Sequence, residues 1–210
     1  MKRPLRLLML MVGLVPAIVL GLVAAYGMVG SNTWSVTSTV VLDVQAEDVT
    51  VLTDDVRKWR DWMLIDHVAE EDFMTVQSRQ VTGAGATLGW MTGFLAGEVV
   101  LSSEWEDGES YSLDWLERRA GRPSPTSTNS NPDPTGWVES TGTLEVRLAD
   151  DNGITLTLIE SGSGGPRPLG PFLLNTLETK RHDVLDQRLS ALAELALVAA
   201  RRRETIEAVQ

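Results

Sequence analysis

The sequence predicts an α+β domain: a curved antiparallel sheet of about seven strands packed on one long C-terminal helix, behind an N-terminal transmembrane helix. Three observations predict it. Short stretches of alternating polarity recur between residues 34 and 161, and turn residues separate most of them. The stretch 172–203 instead repeats apolar residues at helical spacing. Leu7 to Gly30 runs 24 residues without a charge.

That first run is long enough to cross a bilayer. A span needs about 20 apolar residues, and 24 helical residues cover about 36 Å. Lys2, Arg3 and Arg6 on its short flank predict a cytoplasmic N-terminus. The domain that follows is then extracytoplasmic, periplasmic or at the cell surface. A cleaved signal peptide is the competing reading, with Val23-Ala24-Ala25 as a small-residue cleavage site. Its apolar core is usually about 7–15 residues, shorter than this run. Only Ser31–Thr33 separate the run from the first strand, a linker that reaches at most about 11 Å.

Trp34 to Val44 alternates, with Trp34, Val36, Val40, Leu42 and Val44 on one parity and Ser35, Thr37, Thr39 and Asp43 on the other. Gln45–Asp55 reads as a short helix with acidic residues in its first turn. Val56–Met63 continues as a second short helical piece carrying Trp59 and Trp62. Strands follow at Met74–Val81 and Ala86–Met91, broken by Gly83-Ala84-Gly85. Glu98–Glu106 and Ser110–Glu117 flank Asp107-Gly108, a hairpin signal. Arg118–Gly136 holds four prolines and reads as a loop insertion. Trp137–Ala149 and Ile154–Ser161 pair across Asp150–Gly153. Leu174, Leu177, Leu185, Leu189, Leu192, Ala196 and Ala199 then form the helical stripe of Phe172–Arg203, edged or interrupted by Arg181 and Arg188. Arg201–Arg203 suits the negative end of that helix, and residues 204–210 are left as a tail.

Charge narrows the partners. All 29 acidic residues but only 15 of the 18 basic ones follow Gly30, so the domain carries a net −14. Nucleic acid requires a basic footprint and is excluded as a partner. The chain has no cysteine, which removes disulfides, thiolate catalysis and zinc–thiolate sites. Its two histidines, His67 and His182, are 115 positions apart and make no ligand spacing, so no metal and no cofactor is expected.

The order of these segments resembles the START-like superfamily, also called SRPBCC or helix-grip, which includes polyketide cyclase/dehydrase and lipid-transport proteins. Ser35–Val44 with helix Gln45–Asp55 resembles the family's opening strand and helix. Val56–Trp62 resembles its Trp-x-x-Trp segment, and Gly83–Trp90 its Gly-x-Gly-Ala…Trp hairpin. Gly97–Val100 is similar to its fourth strand. Thr141–Val146 with Asp150–Thr157 is similar to its last hairpin, and Gly170–Ala193 to its closing helix. The match runs from Trp34 to about Ala200. The 118–136 loop is longer than the family's usual turn, and the Trp-x-x-Trp segment lacks the proline often found inside it. Many bacterial members also begin with one membrane helix. The resemblance implies a cavity for a hydrophobic small molecule or lipid between sheet and long helix.

Candidate residues follow. Trp62, Trp90, Trp105 and Trp115, with Trp59, either wall that cavity or fill a core. Leu177 and Leu185 face it from the long helix. His182, Tyr111, Glu145 and Asp114 are the acid–base candidates if the domain is a cyclase/dehydrase-like enzyme. The first expectation is a membrane-tethered binder of a hydrophobic molecule or lipid. The alternatives are that enzyme, or an accessory module of a membrane complex whose cavity is filled by side chains.

Overall fold

The computed structural model describes residues 18–65, 72–92, 95–106, 110–121, 138–149, 153–164 and 170–208. Residues 18–29 form a helix, α1. It is the C-terminal part of the predicted span, whose residues 7–17 lie outside the described set. No helix among the described residues is long and apolar enough to cross a membrane.

The chain then builds β1 (Thr33–Leu42), α2 (Ala46–Thr53) and a 3₁₀ helix (Val56–Asp61). Strands β2 (Met74–Gln77), β3 (Thr87–Met91), β4 (Leu95–Glu106) and β5 (Ser110–Gly121) follow. β6 (Val138–Leu148), β7 (Ile154–Ser163) and α3 (Gly170–Glu207) complete it. The seven strands form one antiparallel sheet in the order β1-β7-β6-β5-β4-β3-β2. The predicted α+β architecture and strand count therefore hold.

Local chemistry explains the short helices. Gln45 opens α2 with a capping box, its backbone N–H donating 3.1 Å to the Asp48 carboxylate. Asp55 caps the 3₁₀ helix by accepting the Arg57 backbone N–H at 2.9 Å. Asp48 is nearly buried and also accepts from Arg203 of α3 at 3.1 and 3.2 Å, which ties α2 to the last turns of α3. Arg203→Ala is expected to lower stability by about 1–2 kcal/mol, since it strips a buried carboxylate of its charged partner. Thermal melting checks this; no loss would mean that the helix dipole and the cap alone satisfy Asp48.

Several boundaries depart from the sequence reading. β2 stops at Gln77, because Ser78 turns its hydroxyl onto the Gln80 carbonyl and Gly83 and Gly85 take left-handed φ of 71° and 90°. β4 and β5 each extend further, pairing Leu95 with Gly121. Residues 118–121, assigned to the loop, are therefore strand, and 122–137 lie outside the described residues. Arg118 spans the strands there, 3.2 Å from Glu98 and 2.9 Å from Glu139, so polar side chains line a regular ladder. α3 runs to Glu207, so residues 204–207 are helix, and Arg201–Arg203 lie one turn inside its end.

Three tryptophans seat the sheet against itself. Trp34 stands directly opposite Gly162, Trp90 opposite Gly97, and Trp115 opposite Gly142. Each indole covers the space a Cβ would need. A methyl on Gly97 would meet Trp90 at 2.6 Å, and one on Gly162 would meet Trp34 at 2.7 Å. One on Gly142 would meet Trp115 at 2.2 Å. The large aromatic fills the void left by the missing side chain and lies flat on the strand beside it.

α3 lies along this inner face, burying Leu185, Arg188, Leu189, Leu192, Ala193, Ala196 and Ala200. At its start it meets α1: the Tyr26 and Phe172 rings are 5.2 Å apart. The Gly30 N–H closes α1 on the Tyr26 carbonyl at 2.7 Å. The end of the sheet carrying Trp34 is therefore the end next to α1.

Candidate binding site

The interior between sheet and α3 has two chemically different regions. The middle is aromatic. Trp59, Trp62 and Trp115 pack with ring centroids 5.8 to 6.5 Å apart, tilted or edge-on. Trp59 donates its indole N–H to the Thr53 carbonyl at 2.7 Å. Met63, Leu64, Leu101, Leu113 and Leu185 close the space around them, each 0% exposed.

Toward the α1 end the interior becomes charged. Strand parity delivers this. Tyr111, Leu113, Trp115, Glu117 and Arg119 share the inward face of β5, and Ile154, Leu156, Leu158 and Glu160 share that of β7. From α3 come Arg181 and Arg188, two turns apart on one face. Arg188 is fully buried and bridges both carboxylates, 3.2 Å from Glu117 and 2.5 Å from Glu160. Arg119 adds a second contact to Glu117 at 2.6 Å. Arg181 approaches Glu160 only to 3.9 Å.

The two glutamates therefore differ. Burial pushes the Glu117 carboxyl up, but Arg188, Arg119 and Arg181 together outweigh it and hold it well below the usual carboxylate range. Burial also pushes Glu160 up, and there it prevails: Arg188 opposes it, but the nearby Glu117 charge adds to the rise. Arg188 is closer to Glu160, yet Glu117 is the stronger acid because it holds two close guanidinium groups against one.

Indole faces floor the cluster. The Arg119 guanidinium lies 5.8 Å over Trp90 and the Arg181 guanidinium 5.4 Å over Trp34. Their side chains keep 18% and 13% exposure, so this end of the interior reaches solvent while the middle does not.

The predicted residues scatter across the fold. Trp62, Trp90, Trp115 and Leu185 are buried, Leu177 is half-buried on α3, and the side chain of Trp105 lies outside the described residues. Trp90 borders the charged end, whereas Trp62, Trp115 and Leu185 belong to the filled middle. Tyr111 faces inward at the opposite end, sharing a 3.3 Å hydrogen bond with Thr53, and burial pushes its hydroxyl pKa far up. Asp114 is on the outer face, accepting from Ser103 and Thr143 at 2.6 and 2.7 Å. Glu145 is also on the outer face, paired with Arg147 at 2.8 Å. His182 is 53% exposed and pairs with Asp186 at 3.0 Å. These four acid–base candidates do not converge.

The sequence reading missed Glu117, Arg119 and Glu160 as a site. The parity of β5 and β7 carries the signal, since a glutamate on the face of Trp115 or Leu158 must be buried with a partner. Among the described residues no group of three or more acidic or histidine side chains is placed to hold a metal ion.

No protein-family model and no curated protein sequence matches the chain. Solved structures do. A hypothetical protein from Helicobacter pylori has TM-score 0.55 at 11% identity, covering 82% of this chain and 93% of its own. A protein of unknown function from Staphylococcus aureus has TM-score 0.51 at 9% identity, covering 84% and 99%. The di-domain ARO/CYC StfQ from the steffimycin biosynthetic pathway has TM-score 0.50 at 13% identity. That match covers 83% of this chain and 52% of StfQ. At these identities the likeness is one of fold, and the fold is the helix grip.

Proposed function

We propose that this chain is a membrane-tethered helix-grip domain that binds a hydrophobic small molecule or lipid at the α1 end of its interior. The observation that carries this is the Arg119–Arg181 end itself. Five ionisable side chains are gathered there, and the two over indole faces, Arg119 and Arg181, are the ones that keep contact with solvent. Burying charge is costly, and a core has no need of it. Apolar walls with a few convergent polar groups are the pattern of a small-molecule site. The tether is supported by the uncharged Leu7–Gly30 run. Beside it, Val29, Phe172 and Leu173 expose apolar side chains at the same end. A ligand leaving the bilayer would meet this end first.

Two other readings each have an observation behind them. The filled aromatic middle, with Trp59, Trp62 and Leu185 at 0% exposure, supports an accessory module that binds through its outer surface. The likeness of fold to StfQ supports a cyclase-like enzyme. Its proton-transfer group at this end would be Glu160, whose raised carboxyl suits a general acid.

The test is extraction. The full chain is purified in nanodiscs, and organic extracts are examined by mass spectrometry beside empty nanodiscs. The expected result is an amphiphile enriched with the protein and lost in an Arg119→Ala, Arg181→Ala double variant. If nothing is enriched, and added fatty acid or sterol leaves the tryptophan fluorescence unchanged, the binding reading fails in favour of the accessory module. Chemical conversion of the enriched molecule, lost in Glu160→Gln, would move the reading to the enzyme.

A further inference from the structure

α3 begins with an apolar surface that the sheet does not cover. Its first eight residues, Gly170–Leu177, carry no charge. Leu174 and Leu177 turn toward the core and are partly buried against it. Phe172 and Leu173 turn away from it, and Leu173 keeps 51% of its surface exposed. Tyr26, Met28 and Val29 in the last turn of α1 are exposed as well. Single exposed apolar side chains are ordinary on a protein surface, but these lie on two helix ends that touch. The Tyr26 and Phe172 rings are 5.2 Å apart, and a methyl on Gly30 would come 3.3 Å from the Pro171 Cβ. Among the described residues of α1 only Gly27 is buried, so α1 meets the domain through its end alone. The chain after α1 is pinned there too. The Gly164 N–H donates to the Asn32 carbonyl at 2.8 Å, and the Asn32 amide donates to the Ser163 hydroxyl at 3.3 Å.

The length of the uncharged run sets the depth of this contact. A helix of about 20 residues crosses the hydrocarbon core. Counted from Leu7, the twentieth residue of the run is Tyr26. On the tether reading above, on which this inference rests, Tyr26 therefore stands at the outer boundary of the core, where aromatic rings collect. Phe172 packs on that ring and shares its depth. We propose that the first turn of α3 is a second membrane contact: Phe172 and Leu173 insert into the outer lipid interface beside Tyr26. The partner is the lipid surface itself, and the contact is apolar, because no cation lies among Gly170–Leu177 to select an anionic headgroup. Helices held this way bury their apolar face about 5–10 Å into the interface. The domain is then seated in a fixed pose, with α3 rising from the bilayer. Arg181 follows Phe172 by nine residues, so the solvent-reaching end of the interior opens within about 14 Å of the hydrocarbon boundary.

The test is depth-dependent quenching of the full chain in phosphatidylcholine nanodiscs, some of whose lipid carries a spin label near the top of the acyl chain. The chain has no cysteine, so Val23→Cys, Leu173→Cys and Val198→Cys each take one environment-sensitive fluorophore. Val23 reports the tether and Leu173 the proposed contact. Val198, 25 residues further along α3, is up to about 38 Å away. Leu173 should be quenched at least about threefold more than Val198, as insertion of its turn into the interface requires. Phe172→Ser in the Leu173→Cys chain should cut that quenching by about half or more, since the ring holding the turn in the interface is gone. Circular dichroism confirms that the variants fold. Quenching at Val23 without quenching at Leu173 overturns the second contact and leaves the tether standing. Equal quenching at Leu173 and Val198 overturns the upright pose, and quenching at Leu173 that ignores Phe172→Ser shows that α1 alone sets the depth, which also overturns the proposal. No quenching at Val23 overturns the tether reading and the contact together.

Discussion

Gly142→Ala is expected to be among the most damaging single-methyl additions to this domain. The added Cβ comes within 2.2 Å of the Trp115 indole, which stands directly opposite on β5. Trp115 cannot swing away. It is 1% exposed, and Trp59 and Trp62 each hold it edge-on with centroids 6.5 Å off. Overpacking a core usually costs about 1–3 kcal/mol, and a site with no slack lies at the upper end. A loss of about 3 kcal/mol lowers the melting temperature of a domain this size by about 6–12 °C. Thermal melting of the full chain in nanodiscs measures it. The cause is tested in a Trp115→Leu background, where the smaller side chain leaves room. There the same alanine should cost about 1 kcal/mol or less, an interaction energy of about 2 kcal/mol between the two sites. An equal cost in both backgrounds would show that something other than the Trp115 contact sets it.

Arg188→Met should be as severe for an electrostatic reason. It removes the shared cation from Glu117 and Glu160 while leaving both carboxylates buried. Breaking such a group one-sidedly costs about 3–5 kcal/mol. Replacing the whole set, as Glu117→Gln, Glu160→Gln and Arg188→Met together, should cost less than Arg188→Met alone.

The pH dependence gives a sharper test. In the wild type Glu117 is depressed, so its contribution is present above the ordinary glutamate value of 4.5 and is lost as pH falls below it. Glu160 is raised, so it acts in the opposite sense: the folded state holds its proton to higher pH, and the cost of burying its charge is relieved as pH falls. In Arg188→Met both carboxylates lose their main cation and both take protons more readily. The stability gap from the wild type should therefore narrow as pH falls from about 8 to about 5. A gap that stays constant over that range would mean that Arg188 acts by packing alone.

Much of this fold is legible in the sequence, because each strand with one buried face advertises its parity. Trp34, Val36, Val40 and Leu42 mark β1 and are inward or half-buried as their alternation requires. What the alternation does not mark is where pairing continues after the apolar residues end. β5 carries on through Arg118 and Arg119 because backbone hydrogen bonds extend the ladder regardless of side chain. The candidate site was less visible for a related reason. Charged residues are read as surface by default, and His182, Asp114 and Glu145 are indeed outside. Glu117, Arg119 and Glu160 obey the same period-two rule as the leucines before them, and their burial follows from that rule alone. Arg188 broke the apolar stripe of the long helix, and its partners on β5 and β7 are what permit it there.

The tryptophan–glycine seats also act as a ruler for the sheet. In the order β1-β7-β6-β5-β4-β3-β2 they fall at β1·β7, β6·β5 and β4·β3, which is every second strand boundary. The smallest slip that keeps inward residues inward is two positions. Such a slip sets Trp90 against Leu95 or Val99, and Trp115 against Ser140 or Leu144, positions whose side chains occupy the space the indole needs. Every strand except β2 thus has its alignment with one neighbour fixed by a ring that fits in only one place. The sheet is in effect three notched ribbons, and the strand with no notch is the four-residue one at its edge.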